Sequence, residues 1–158
     1  PDRRQIVGEL RRASVGLRYG ENDNTMSGQP LHGHRILVVE DEKPDARRFG
    51  RLLREAGAEV VGPAESLEVA ERLIAEHGLS AAWLDVWIDD NTKEVWPVAK
   101  LLASKGVPFL FCTRIPEDVD PYAWPGTPVI RKQIFSERGE RAIVAELARL
   151  IAGRPFPG

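Results

Sequence analysis

The chain has 158 residues, 42% of them apolar and 29% charged, which allows one ordinary globular domain with a real core and excludes a disordered composition. A net charge of −2 and a pI near 6.0 supply no basic surplus, which argues against nucleic-acid binding. No stretch reaches the roughly 18 apolar residues of a membrane span, and the single cysteine, Cys112, has no partner for an internal disulfide and fits a reducing cytoplasm.

The charge is uneven along the chain. Residues 1–18 hold five arginines (Arg3, Arg4, Arg11, Arg12 and Arg18), with Ile6, Leu10, Ala13 and Leu17 at a spacing compatible with a short amphipathic helix. The segment lacks the apolar centre of a secretory signal. ENDNTMSGQPLHGH (21–34) has no periodicity and reads as a linker. Residues 1–33 are thus expected to form an extension or linker ahead of one domain over 34–158.

From Arg35 onward, apolar strand-like runs alternate with amphipathic helical stretches, the pattern of a parallel sheet covered by helices. ILVVE (36–40) is the first strand, continuous in its apolar residues as a doubly buried strand should be. A helix follows, with Pro44 in its first turn and Gly57 just past its end. AEVVG is the second strand. Ser66 is placed to cap the second helix, whose buried stripe is Leu67, Ala70, Leu73 and Ile74. AAWLDVWI (81–88) reads as the third strand, and a helix over about 94–105 follows it. VPFLFCT and TPVIRK are the fourth and fifth strands. Between them Pro116, Pro121 and Pro125 predict a short or distorted helix. A strong final helix covers 137–152.

In an open sheet of this kind ligands bind beyond the carboxyl ends of the strands, where the strand order reverses. For the order 2-1-3-4-5 that place lies between strands 1 and 3, whose ends carry Glu40 and Asp41 on one side and Asp85 on the other. Three converging carboxylates repel one another unless a cation sits among them, and oxygen-only ligands suit Mg²⁺ before zinc or copper. Asp85 lies between Leu84 and Val86 in an apolar run, where an unpartnered carboxylate is costly. Strand 4 ends at Thr113, a hydroxyl donor, and strand 5 at Lys132, a point charge suited to a phosphoryl group. Glu42 reads as a plain solvated residue. His32, His34 and His77 are not spaced as ligands, and Cys112 reads as a small hydrophobe within a strand.

ILVVEDE, the Asp of WLDVW, the Thr of LFCT and the Lys of VIRKQ together resemble the receiver domain of bacterial two-component response regulators, over residues 35 to about 152. VVGPAESLEVA and KGVPFLFCT further resemble stand-alone receivers of alphaproteobacteria, some of which serve general stress signalling. The resemblance implies a flavodoxin-like fold, a five-stranded parallel sheet of order 2-1-3-4-5 with helices on both faces. It implies Asp85 as the phosphoacceptor and Glu40, Asp41, Asp85 and the backbone carbonyl of Trp87 as ligands of Mg²⁺. Thr113 and Lys132 would contact the phosphoryl oxygens. It also implies a cytoplasmic protein that is not an enzyme in its own right. A sensor histidine kinase or histidine phosphotransfer protein would act as donor, and the output would be a downstream protein partner or a homodimer, with no nucleic acid and no membrane involved.

Four features depart from that family. Arg114 follows the Thr where a small residue is usual; it could screen the site, slow water, add a phosphate contact, or simply turn away. The family's Lys–Pro pair appears as Lys132–Gln133, for which a trans bond is expected. Val129 replaces the aromatic switch residue, leaving Tyr122 or Trp124 as substitutes, and the prolines of 115–126 disrupt a usual output helix. Two alternatives follow: a phosphorylation-independent receiver-like scaffold, and, more weakly, a Mg²⁺-dependent phosphohydrolase of haloacid-dehalogenase type. The latter family's DxD pattern is absent here, since the chain reads Asp85-Val86-Trp87. A dinucleotide site is opposed by the lack of a Gly-rich turn after strand 1.

Overall fold

Successive side chains of a strand point to opposite faces, so a strand apolar at every position must be covered on both. In the computed structural model, which describes residues 28–132 and 136–153, this is how the sheet is built. The segment read as an N-terminal amphipathic helix and the Lys132–Gln133 bond lie outside the described residues. The elements are β1 (Arg35–Val39), α1 (Lys43–Glu55), β2 (Glu59–Ala64), α2 (Leu67–Glu76), β3 (Ala81–Leu84), β4 (Trp87–Ile88), β5 (Lys93–Glu94), α3 (Trp96–Ser104), β6 (Phe109–Thr113), β7 (Val129–Arg131) and α4 (Glu137–Ala152). Five strands form one parallel sheet of order β2-β1-β3-β6-β7, which is the expected 2-1-3-4-5 once β4 and β5 are set aside as a separate hairpin.

The two faces carry two cores. Leu37, Val39, Ala82, Leu84, Phe109 and Phe111 face α2 and α3 and pack with Ala70, Ile74, Val98 and Leu102. Ile36, Val38, Ala81, Trp83, Leu110 and Cys112 face α1 and α4 and pack with Phe49, Leu53, Ile143 and Leu147. Trp83 lies 4.5 Å, centroid to centroid, from Phe49. Burial pushes the Cys112 thiol well above its usual range, as befits a packing residue and not a nucleophile. Leu31, inside the stretch read as linker, is fully buried, and its N–H bonds to the Ala56 carbonyl 2.9 Å away.

The helix ends follow their local signals. The Ser66 hydroxyl accepts from the Val69 N–H at 3.2 Å, capping α2. Gly57 closes α1 with φ +95°, and a Cβ there would stand 2.9 Å from the Gln29 side chain and 3.0 Å from the His32 nitrogen.

The third strand is shorter than the sequence predicts. It ends at Leu84; Trp87 and Ile88 turn away and pair antiparallel with Glu94 and Lys93. Asp89, Asp90 and Asn91 make this turn with φ of 57°, 53° and 61°, a left-handed run that Asp and Asn tolerate better than most residues. The hairpin takes up 93–94, so the helix expected from 94 begins at Trp96. Between β6 and β7 the prolines leave one 3-10 turn, Pro116–Asp118, and no α-helix among the described residues.

Leu37→Ala, which empties a fully buried site in the central strand, is expected to cost about 2–5 kcal/mol in urea unfolding. Tyr122→Ser, at a side chain 94% exposed, is expected to stay within about 0.5 kcal/mol of the parent.

Candidate functional site

Parallel pairing brings every carboxyl end of the sheet to one edge, and the ladder hydrogen bonds carry on one residue past the strands. The Glu40 N–H bonds to the Ala64 carbonyl at 3.0 Å, the Asp85 N–H to the Val39 carbonyl at 2.9 Å, and the Lys132 N–H to the Thr113 carbonyl at 3.0 Å. Each residue is therefore fixed by its backbone before its side chain makes any contact. Glu40, Asp85, Thr113 and Lys132 are the buried polar and charged residues of the described chain. They stand at four adjacent strand ends.

Lys132 reaches past the end of β6 to join Asp85 and Glu40. Its Nζ lies 2.9 Å from Asp85 Oδ2, 2.8 Å from Glu40 Oε2 and 3.5 Å from Asp45 Oδ2. Glu40 Oε1 accepts from the Glu42 N–H at 3.1 Å. Asp41 is half-buried, and its Oδ2 accepts from the Asp90 N–H at 2.8 Å, so the left-handed turn serves to hold that carboxylate. The Thr113 hydroxyl oxygen accepts from the Ile115 N–H at 3.3 Å.

The electrostatics are those of a site short of positive charge. Five carboxylates (Glu40, Asp41, Glu42, Asp45 and Asp85) face two cations, Lys132 and Arg114. Burial, and after it the Asp85 charge, push the Glu40 carboxyl up to about 8 against the opposing pull of Lys132. Burial likewise raises Asp85, against the pull of Lys132. Burial pulls Lys132 down, but Glu40 and Asp85 together more than offset this and hold its ammonium above the usual lysine range.

One carboxylate oxygen from each of Glu40, Asp41 and Asp85 lies within 4.8 Å of the others, a donor set that fits a hard divalent cation. No histidine joins such a cluster among the described residues. His34 Nδ1 instead lies 3.1 Å from the Ser80 hydroxyl, and His77 ends α2. Trp87 lines the same cleft as Asp85, and its indole N–H donates to Asp118 Oδ2 at 2.7 Å.

Glu42, read from sequence as plainly solvated, has a partner. Arg114 Nη2 lies 2.5 Å from Glu42 Oε2 and 3.6 Å from Asp45 Oδ2. Sequence reasoning also missed Asp45, Asn91 and Asp118. An acid in the first turn of α1 and the Asp-Asp-Asn turn were the available signals for the first two. Of the aromatics near the Val129 position, Trp124 is packed against Trp96, Phe109 and Phe111, while Tyr122 projects into solvent. The cleft over Asp85 encloses about 390 Å³ between Glu42, Trp87, Thr113 and Arg114.

A five-stranded parallel sheet of this order with helices on both faces defines a class, the flavodoxin-like α/β fold. Comparison with family models finds no match, and neither does comparison with curated proteins. Among solved structures, the BeF3-activated conformation of SdrG from Pseudomonas melonis Fr1 is 31% identical over 73% of this chain and 95% of that one, with a TM-score of 0.59. SdrG from Sphingomonas melonis Fr1 is 29% identical over 78% of this chain and 98% of that one, with a TM-score of 0.62. The receiver domain of the response regulator PhyR from Erythrobacter litoralis shares the fold at 20% identity over 81% of this chain and 97% of that one, with a TM-score of 0.66. The chain belongs to the receiver-domain family of response regulators.

Mg²⁺ at ten times its dissociation constant is expected to stabilise the fold by about 1.4 kcal/mol, raising Tm by roughly 3–6 °C. Asp41→Asn should remove most of that rise in a thermal melt with and without the ion.

Proposed function

We propose that this chain is a phospho-switch, a receiver over 34–158 preceded by the extension 1–33, in which Asp85 accepts a phosphoryl group from a histidine kinase or histidine phosphotransfer protein. The Asp85 carboxylate attacks phosphorus, the phosphohistidine N–P bond breaks, and the imidazole leaves. The observation that carries this reading is the 2.9 Å contact between Lys132 Nζ and Asp85 Oδ2 at the floor of an open cleft. A buried carboxylate paired this way could be purely structural, but a structural pair has no need of an opening to solvent above it.

Each residue has a part. Glu40, Asp41 and Asp85, with the Trp87 carbonyl, would hold Mg²⁺, which when bound neutralises charge on the carboxylates and the phosphoryl oxygens. Lys132 and the Thr113 hydroxyl would bind the remaining phosphoryl oxygens, so that transfer proceeds by positioning and charge neutralisation. Drawing them toward the new dianion biases the β6–β7 region, where Ile115, Tyr122 and Val129 are exposed hydrophobic residues. The output under this reading is contact with a downstream protein or a second copy.

No helix among the described residues is long and apolar enough to cross a membrane. We place the chain with cytoplasmic signalling proteins on the strength of the receivers that it resembles. Acetyl phosphate and Mg²⁺ are expected to give one labile phosphoryl adduct by intact mass, lost on omitting Mg²⁺ or in Asp85→Asn. An adduct that persists in Asp85→Asn would overturn the assignment of Asp85. No adduct from either acetyl phosphate or a panel of histidine phosphotransfer proteins would favour a phosphorylation-independent scaffold.

A further inference from the structure

The sheet order fixes what a contact between two loops must pass over. Glu42 follows β1, Arg114 follows β6, and β3 lies between those strands with Asp85 at its end. An ion pair from Arg114 to Glu42 therefore crosses above Asp85. Both residues line the cleft that opens onto Asp85 and Thr113, and Asp45 at the start of α1 gives the guanidinium a second anchor at 3.6 Å. Arg114 is held on the far side of the cleft, on carboxylates that are not among the proposed ligands of the metal.

We infer that Arg114, latched to Glu42 and Asp45, is a gate over Asp85 that slows the passage of water and small phosphodonors without taking part in the chemistry. The inference rests on Asp85 being the phosphoacceptor. Hydrolysis of its acyl phosphate needs a water oxygen to attack phosphorus as the Asp85 O–P bond breaks, releasing inorganic phosphate and the free carboxylate. That water enters through the cleft. Phosphorylation by acetyl phosphate needs the same opening, with acetate as the leaving group. The pair is largely solvent-exposed, with Arg114 59% and Glu42 40% accessible, so it opens readily and retards traffic instead of sealing the site. A partner protein that touched Glu42 or Arg114 would open the gate by competing for the pair.

The gate makes a double-mutant test decisive. Arg114→Ala is expected to shorten the phosphoryl lifetime and speed acetyl-phosphate labelling, each roughly two- to fivefold, the range an exposed ion pair supplies. Glu42→Gln should act in the same direction, and the double variant should be no faster than the faster single one. Raising NaCl should shorten the parent's phosphoryl lifetime toward that of Arg114→Ala and leave the variant unchanged. Arg114→Lys, which keeps a cation over the cleft, should restore part of the delay. Unchanged rates in Arg114→Ala, or a longer lifetime in Glu42→Gln because the arginine moves onto the phosphoryl group, would overturn the gate while leaving the phosphoacceptor reading intact. An absence of adduct in the parent would instead overturn both.

Discussion

Everything at the functional edge depends on Lys132 reaching Asp85 and Glu40 at 2.9 and 2.8 Å in a nearly dry environment. Removing charges from water is expensive, and a buried ion pair rarely stabilises a fold more than a well-packed apolar pair of the same volume. Retaining two buried carboxylates and one lysine therefore costs stability that the apolar faces of the sheet must supply. The cost has a use. Lys132 neutralises at most one of the three carboxylates it contacts, and Asp41 adds a fourth beside them. The site is left with a deficit of positive charge that a divalent cation relieves.

The sheet makes this affordable by separating labour between its two ends. β1, β3 and β6 are buried on both faces through the middle of the sheet, so their backbones are held by packing on each side. Among the described residues, buried polar and charged side chains appear only where strands run out, and there the continuing ladder bonds pin Glu40, Asp85 and Lys132 by their amides. A side chain anchored this way is preorganised, with little entropy left to lose when it engages a charged group. Arg114 differs. It sits on a loop, its side chain is mostly exposed, and its guanidinium lies on Glu42 and Asp45 at the rim of the cleft, not among the buried groups.

Much of this was legible in the residues because parallel topology turns position in the chain into position in space. Glu40, Asp41, Asp85, Thr113 and Lys132 lie at or just past the carboxyl ends of strands, and a doubly wound sheet can only bring such ends to one edge. The hairpin was not legible: Trp87–Ile88 and Lys93–Glu94 are two-residue strands, too short for alternation to register, and the first resumes the apolar run of β3 after the single Asp85. Leu31 was missed because a single apolar residue among Pro, His and Gly has no periodicity, although it is fully buried. The Arg114–Glu42 pair was out of reach for a different reason. It joins residues 72 apart through side chains that cross a third strand, and no local pattern encodes that meeting.

The same contrast says how the site could act as a switch and not merely as a trap. Under the proposed phosphorylation of Asp85, buried, ladder-pinned groups would change little in position, and the response would fall to parts of the edge held less tightly. Those parts are the loop after β6, with Arg114 and Ile115, and the proline-rich stretch that replaces a regular helix before β7. Trp124, packed against Trp96, Phe109 and Phe111, anchors the far end of that stretch to the core. The Trp87 indole, bonded to Asp118, ties its near end to the wall of the cleft. The segment is thus fixed at both ends and irregular between them. Asp85 lines the same cleft as Trp87 and Asp118, so a phosphoryl charge proposed on Asp85 would act beside the nearer of those two anchors.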